Sequence, residues 1–445
     1  MTLRAGSDSR DISPGKPMAL FGYPHVRRIS TGIHDPLLAS ALYLENDGAK
    51  AVLVALDLLF LDPPTARRLR RAVARTTGAP EECVFISCTH THSGPVTVSL
   101  LAWRKDVAVP APCQSYHRRV RQQVVLACRA ARDRARPAEL AWTTADATGA
   151  GGNRISPSGV IDPACGLLSI RTRRSRKMLS VALVYGMHPT VLHEDSTLVS
   201  SDFPHYTREQ LRDALGRSLV VLYLNGPCGN QSPRYFVKGQ TFAEAERLGR
   251  KLGRFAAGAL DALRENDWCG DPVLAGRKMR VALPRRKLLS PRKARQTLAA
   301  YRRRHDRLVA QKAPHPEVRT AECAVFGAES AVCLAEAGAR GGVDRLLKRY
   351  RPIEVQALRI GPACLVGLPG ESFTEYALAI KRSVGMRAFV VGLVNGELQG
   401  YIVTPEAAAR GGYEAANALF APQAGERLVA AARTLADSLR KGEDS

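Results

Sequence analysis

Eight short apolar runs punctuate this chain. They are "ALYLEN" (41–46), "AVLVALDLLFL" (51–61), "CVFIS" (83–87), "LLSIRT" (167–172), "LSVALVYGM" (179–187), "SLVVLYLNG" (218–226), "EVQALRIGPACLVGLPG" (354–370) and "RAFVVGLVNG" (387–396). Short runs of apolar and β-branched residues bounded by turn residues read as strands. Between several of them lie amphipathic stretches with helical spacing, at 63–78, 115–135, 202–216 and 241–266. That mixture predicts an α/β fold, a mixed sheet core flanked by helices. Residues 284–350 are the least strand-like part and are expected to form a mostly helical insertion. The stretch 425–441 reads as a closing helix. With no internal repeat and no low-complexity linker, residues 1–445 are expected to form a single domain.

The same runs exclude other classes. The longest, 51–61, contains Asp57 and falls well short of the roughly 18 apolar residues that a membrane span requires. The N-terminal stretch is too polar for a secretory signal. The ten cysteines include no C-x-x-C pair, so they are expected to be free thiols in a reducing cytoplasm. The formal net charge of +24 brings nucleic acid and anionic membranes into consideration. Its densest stretch, 277–307, ends in a helical pattern with Leu298, Tyr301 and Leu308 on the apolar face. No aromatic RNA-binding motif accompanies it. The remaining excess is dispersed, so no specific nucleic-acid partner is expected, while weak association with an anionic surface stays open. The sequence fixes no oligomeric state.

Residues 88–95 read "CTHTHSGP". The chain has 10 histidines, and two of them stand here at i and i+2, directly after a strand-like run. Extended geometry would point both to one side. Strand ends of open α/β sheets are where ligands bind. The competing reading is a polar loop with two hydrogen-bonded histidines. Other chemistry-bearing residues share this address. "LSVALVYGM" ends at His188, "SLVVLYLNG" leads to Ser232, "PACLVGLPG" ends at Glu371, and "AFVVGLVNGELQG" ends at Tyr401. Each has an ordinary alternative, such as a core histidine, a turn hydroxyl, a helix-initiating carboxylate or a packing tyrosine. Together, nitrogen and oxygen donors at strand ends suit a catalytic zinc site.

Six blocks in order carry a resemblance: "TGIHDPLLASALYLENDG" (31–48), "CTHTHSGP", "GGNR" (151–154), "GNQSPRY" (229–235), "LPGESFTEYA" (368–377) and "GYIVTPEAAARGGYE" (400–414). The sequence resembles the catalytic domain of the neutral/alkaline, non-lysosomal ceramidase family from about residue 5 to about 435. The resemblance implies zinc held by His90, His188, Glu371 and Tyr401. It implies that His92, Arg154 and Tyr413 face the bound water and substrate. It maps a serine sometimes proposed as nucleophile onto Ser232. Asn230 stands where the family usually has Asp, and Arg234 where it has Asn, which weakens that role. Asp57 and Asp202, near strand ends, are candidate partners of the ligand histidines, with turn or cap roles as the alternative.

The implied chemistry is hydrolysis of an amide, ester or lactone by zinc-activated water. Family members carry an export signal and a further C-terminal β-sandwich, and this sequence shows neither. No apolar hairpin for lifting lipid from a bilayer is evident. The expected substrate is therefore a small soluble acyl compound. Two alternatives stand beside hydrolysis: the same machinery run towards amide formation or cyclisation, and a non-catalytic basic binding protein on the same scaffold.

Overall fold

The computed structural model describes residues 2–441. Its larger sheet has eight strands, in the order Val220–Asn225, Met178–Tyr185, Ala164–Thr172, Arg136–Asp146, Arg4–Asp11, Leu38–Asn46, Ala49–Leu56 and Val84–Cys88. The pair at each edge is parallel and the pairs between are antiparallel. A second sheet orders Leu274–Arg280, Glu354–Ile360, Ala363–Gly367 and Arg387–Val391. Both sheets contribute to one apolar cluster that includes Phe85, Leu168, Leu358 and Val391. Each such buried side chain stabilises the fold by roughly 1.5–3 kcal/mol, which is why the strand runs are apolar and β-branched. The mixed α/β expectation is met.

Helices cover the outer faces. Pro63–Thr77 illustrates the local logic: Asp62 accepts a hydrogen bond from the Thr65 amide, proline opens the first turn, and Gly78 (φ +75°) ends the helix. Its buried positions Ala66, Leu69 and Val73 have helical spacing and join Val54 and Ile86 in one core cluster. Phe203–Leu215 and Phe242–Asp261 contribute to another cluster, and Thr374–Ser383 and Gln423–Lys441 to a third. Residues 284–350 contain the helices Pro291–Ala310, His315–Ala339 and Gly342–Tyr350. Arg295 and Arg302 on the first of these pair with Glu336 and Glu329 on the second, at 2.8 and 2.6 Å.

Two strand expectations need correction. The run 51–61 leaves the sheet after Leu56, because the Asp57 carboxylate accepts from the Leu38 amide at 2.9 Å and from Arg208 at 3.0 and 2.7 Å. The run 354–370 is a hairpin of two antiparallel strands that turns at Gly361, φ +61°.

The larger sheet curls until its two edges approach each other, and Gly392 sits between them. The Ser87 hydroxyl donates to the Gly392 carbonyl at 2.9 Å, and the Gly392 amide donates to the Asn225 carbonyl at 2.8 Å. Strand ends that are distant in sheet order thereby converge. Among the described residues no helix is long and apolar enough to cross a membrane, and the ten cysteines form no disulfide.

Candidate metal centre

His90 follows the edge strand Val84–Cys88, but it is not extended. Its φ of +71° lies in the left-handed region. The expectation that strand geometry aligns the H-x-H pair is therefore corrected: a turn does it. The His90 amide donates to the Leu58 carbonyl at 2.9 Å, and its Nδ1 lies 3.2 Å from the Leu59 carbonyl. His188 leaves the other side of the sheet, with Nδ1 2.7 Å from the Cys228 carbonyl. In both rings a backbone carbonyl holds Nδ1 and leaves Nε2 for the centre. Each Nε2 lies 3.2 Å from the same Glu371 Oε2. His92 completes the group, and one ligand atom from each of the three histidines lies within 4.8 Å of the others.

Glu371 does not begin a helix. It lies in the strand Glu371–Ser372, paired in parallel with Tyr401–Ile402, and its register partner is Tyr401. The helix starts later, at Thr374. Residues opposite each other on parallel strands emerge on the same face. Both side chains are buried.

Burial alone would raise the Glu371 carboxyl, but the imidazoles of His90 and His188 outweigh it and hold it well below its ordinary range. Burial, then Arg154, pushes His188 down to about 3. Burial, then His90 and His188, holds His92 well below its usual value. His92 and His188 are therefore neutral at ordinary pH, the state in which imidazole binds metal. His90 Nε2 and both ring nitrogens of His92 are buried without a hydrogen-bond partner. Buried polar atoms are nearly always paired. Imidazole nitrogens beside a carboxylate oxygen are a donor set that fits zinc.

Arg154 lies over the Tyr401 ring at 5.3 Å and donates to Glu414 at 2.8 Å, with Nη2 buried and unpaired. Tyr413 packs edge-on against Tyr401, ring centroids 6.0 Å apart. A cavity of about 30 Å³ lies against His90, His92, Glu371, Tyr401 and Tyr413. Phe60, Leu100 and Trp103 supply its apolar wall. Gly22 also lines it, with φ +111°. A Cβ on Gly22 would lie 2.4 Å from His92 Nδ1, so no larger residue fits beside that ring.

Of the residues singled out in the sequence, His90, His92, His188, Glu371, Tyr401, Tyr413 and Arg154 come together. Ser232 does not reach the cavity. Its hydroxyl accepts from the Arg234 amide at 3.3 Å, and its strand pairs with Gly152–Asn153. Asn230 is a structural pin that donates to Glu375 and accepts from the Thr374 amide. Asp57 and Asp202 turn elsewhere, Asp57 to Arg208 and Asp202 to the amides of Leu192 and Phe203. The histidines have carbonyl partners where carboxylates were expected.

Sequence reasoning missed Glu414, which orients Arg154, and Gln399, which lines the cavity. It also missed the wall formed by Phe60, Leu100 and Trp103 and the space-giving Gly22. Gln399 accepts from the Leu101 amide at 2.7 Å and so fixes the turn that carries Trp103.

The architecture is a mixed α/β fold with a buried histidine–carboxylate centre where strands from both sheets end. Residues 4–221 match the neutral/alkaline non-lysosomal ceramidase family, N-terminal part. The neutral ceramidase from Pseudomonas aeruginosa shares the fold, with a TM-score of 0.75 at 20% identity over 99% of this chain and 75% of that one. A ceramidase structure described as complexed with C2 gives a TM-score of 0.74 at 18% identity, over 99% and 76%. No curated protein matches the chain.

Proposed function

We propose that this protein is a zinc-dependent hydrolase that cleaves an amide, ester or lactone bond in a small soluble acyl compound. The observation that carries the reading is the placement of two imidazole Nε2 atoms 3.2 Å from one Glu371 oxygen, with the unpaired nitrogens of His92 beside them. The match of residues 4–221 to a ceramidase family supports hydrolysis of an acyl linkage.

His90, His188, Glu371 and Tyr401 would hold the metal. When bound, zinc supplies Lewis acidity and brings the pKa of water towards about 7. His92, neutral and with both ring nitrogens buried and unpaired, has a nitrogen to take a proton from attacking water and return it to the leaving group. Burial opposes the charge on Arg154, but Tyr401 and Glu414 outweigh it and keep the guanidinium charged. Its unpaired Nη2 is a donor for a developing oxyanion. Tyr413, pushed up by burial, keeps its proton and is a second donor. The narrow cavity and its apolar wall of Phe60, Leu100 and Trp103 favour an acyl group without two long chains.

Metal analysis followed by turnover assays on soluble amides, esters and lactones tests the proposal. Stoichiometric zinc with no turnover of any compound would point instead to a binding protein.

A further inference from the structure

A second cavity is larger than the one at the histidines. It measures about 300 Å³ and lies between the helical pair and the segment 411–416. Its floor is made of small residues, among them Ala324, Ala328 and Ala331 from the helix His315–Ala339 and Ala415 from the short helix Tyr413–Ala416. Thr297 and Tyr301 line the side formed by the helix Pro291–Ala310. A cavity of this size and apolar character is large enough for a small organic ligand.

Its charge is one-sided. Arg286 and Lys287 line it, and no carboxylate does. Arg286 donates through both terminal nitrogens, to the carbonyls of Ala415 and Ala416, but its Nε is buried and donates to nothing. The neighbouring helix adds to this field. At about 100° per residue, Arg292, Lys293, Arg303, Arg304 and Arg307 share a face roughly 120° wide. All five are exposed, and none has an ion-pair partner among the described residues. Lys293 and Arg304 stand one turn from the cavity-lining Thr297 and Tyr301. These five cations and the two that line the cavity form a local positive patch beside the opening, which favours anions.

We propose that this cavity is a ligand site for an amphiphilic carboxylate, its aliphatic tail on the alanine floor and its head at Arg286 and Lys287. A guanidinium with one free N–H suits one carboxylate oxygen, and the lysine supplies further charge. The site is separate from the metal centre, which lies across the short helix Tyr413–Ala416. A ligand here would lean on the element that carries Tyr413.

Calorimetric titration of decanoate into the protein tests the site and reads binding directly, so the result does not depend on which bond the metal centre breaks. One decanoate should bind per chain, and decanol, which lacks the charge, should bind at least about ten-fold more weakly. Ala324→Leu and Ala331→Leu fill the floor and should each weaken decanoate by about ten-fold or more. Circular dichroism reports whether each variant is folded, and Thr297→Leu, from the opposite wall, replaces any that is not. Folded filling variants that keep the original affinity, or decanol binding as tightly as decanoate, would overturn the proposal.

Discussion

Glu371 and Tyr401 are register partners across a parallel ladder only two residues long. The ladder ties the loop after Ala363–Gly367 to the loop after Arg387–Val391, so one short pairing positions two candidate ligands. The loop leading to it is tight. Gly400, φ +124°, passes so close to the Asn417 carbonyl that no side chain would fit.

If this pairing and the two imidazoles form a zinc site, the purified protein holds close to one zinc per chain. His188→Ala and His90→Ala should each lose it, because removing one donor weakens the chelate and leaves Glu371 with a single imidazole. Elemental analysis after dialysis measures this. Full retention of zinc by both variants would remove the model.

Turnover should depend on His92 more than on Ser232. His92→Ala should lower kcat by roughly 10²–10⁴-fold, the usual value of a proton-transfer group. Ser232→Ala should cost less, since its hydroxyl is held by the Arg234 amide away from the cavity. Trapping an acyl group on Ser232, read by mass spectrometry, would reverse this order.

Gly22→Ala tests the fit around His92. The added Cβ would meet His92 Nδ1, and the backbone there sits in the left-handed region. The variant should fold with reduced stability, on the order of 1–2 kcal/mol, and with a turnover loss approaching that of His92→Ala. Wild-type kcat in a folded Gly22→Ala protein would show that the ring is free to move.

Stability should carry a pH signature from Glu397. Burial raises its carboxyl from 4.5 to about 7, against hydrogen bonds from Tyr350 and Gln399. The folded state therefore holds a proton that the unfolded state has released. Its contribution is fully present below about pH 4.5 and is lost as pH rises through about 7. Glu397→Gln should remove this component, so the variant gains on the wild type between pH 5 and 8. Thermal melts of both proteins at those two pH values decide it, and parallel pH profiles would contradict the assignment.

Soluble N-acyl amino acids, short esters or lactones should be turned over with higher kcat/KM than detergent-dispersed long-chain ceramide. The small cavity at the histidines motivates this. Ceramide outperforming every soluble compound would refute it.

Much of this was legible in the chain. Apolar runs marked the strands because both faces of each sheet are covered. The H-T-H motif and its strand-end address marked the histidines. The resemblance added Glu371 and Tyr401. What stayed hidden depends on contacts between segments far apart in sequence. Nothing local announces that His90 adopts a left-handed φ, that Gly22 must yield space to His92, or that Glu414 pairs with Arg154. Asp57 and Asp202 look like partners for histidines because of where they fall along the chain. Folding gives one to Arg208 and the other to the amides of Leu192 and Phe203, the second of which opens a helix.

The bridge at Gly392 has a consequence for how the centre is born. Ser87 and Asn225 meet through a residue made much later, and Tyr401 and Tyr413 come later still. On an emerging chain the histidines would exist for most of synthesis without the carboxylate and phenol that accompany them in the folded protein. Contacts so distant in sequence form late and slowly, and a two-imidazole fragment binds metal only loosely. The full set of candidate donors therefore assembles only when the segments bearing Glu371 and Tyr401 have folded onto the histidines, and metal loading should follow that step.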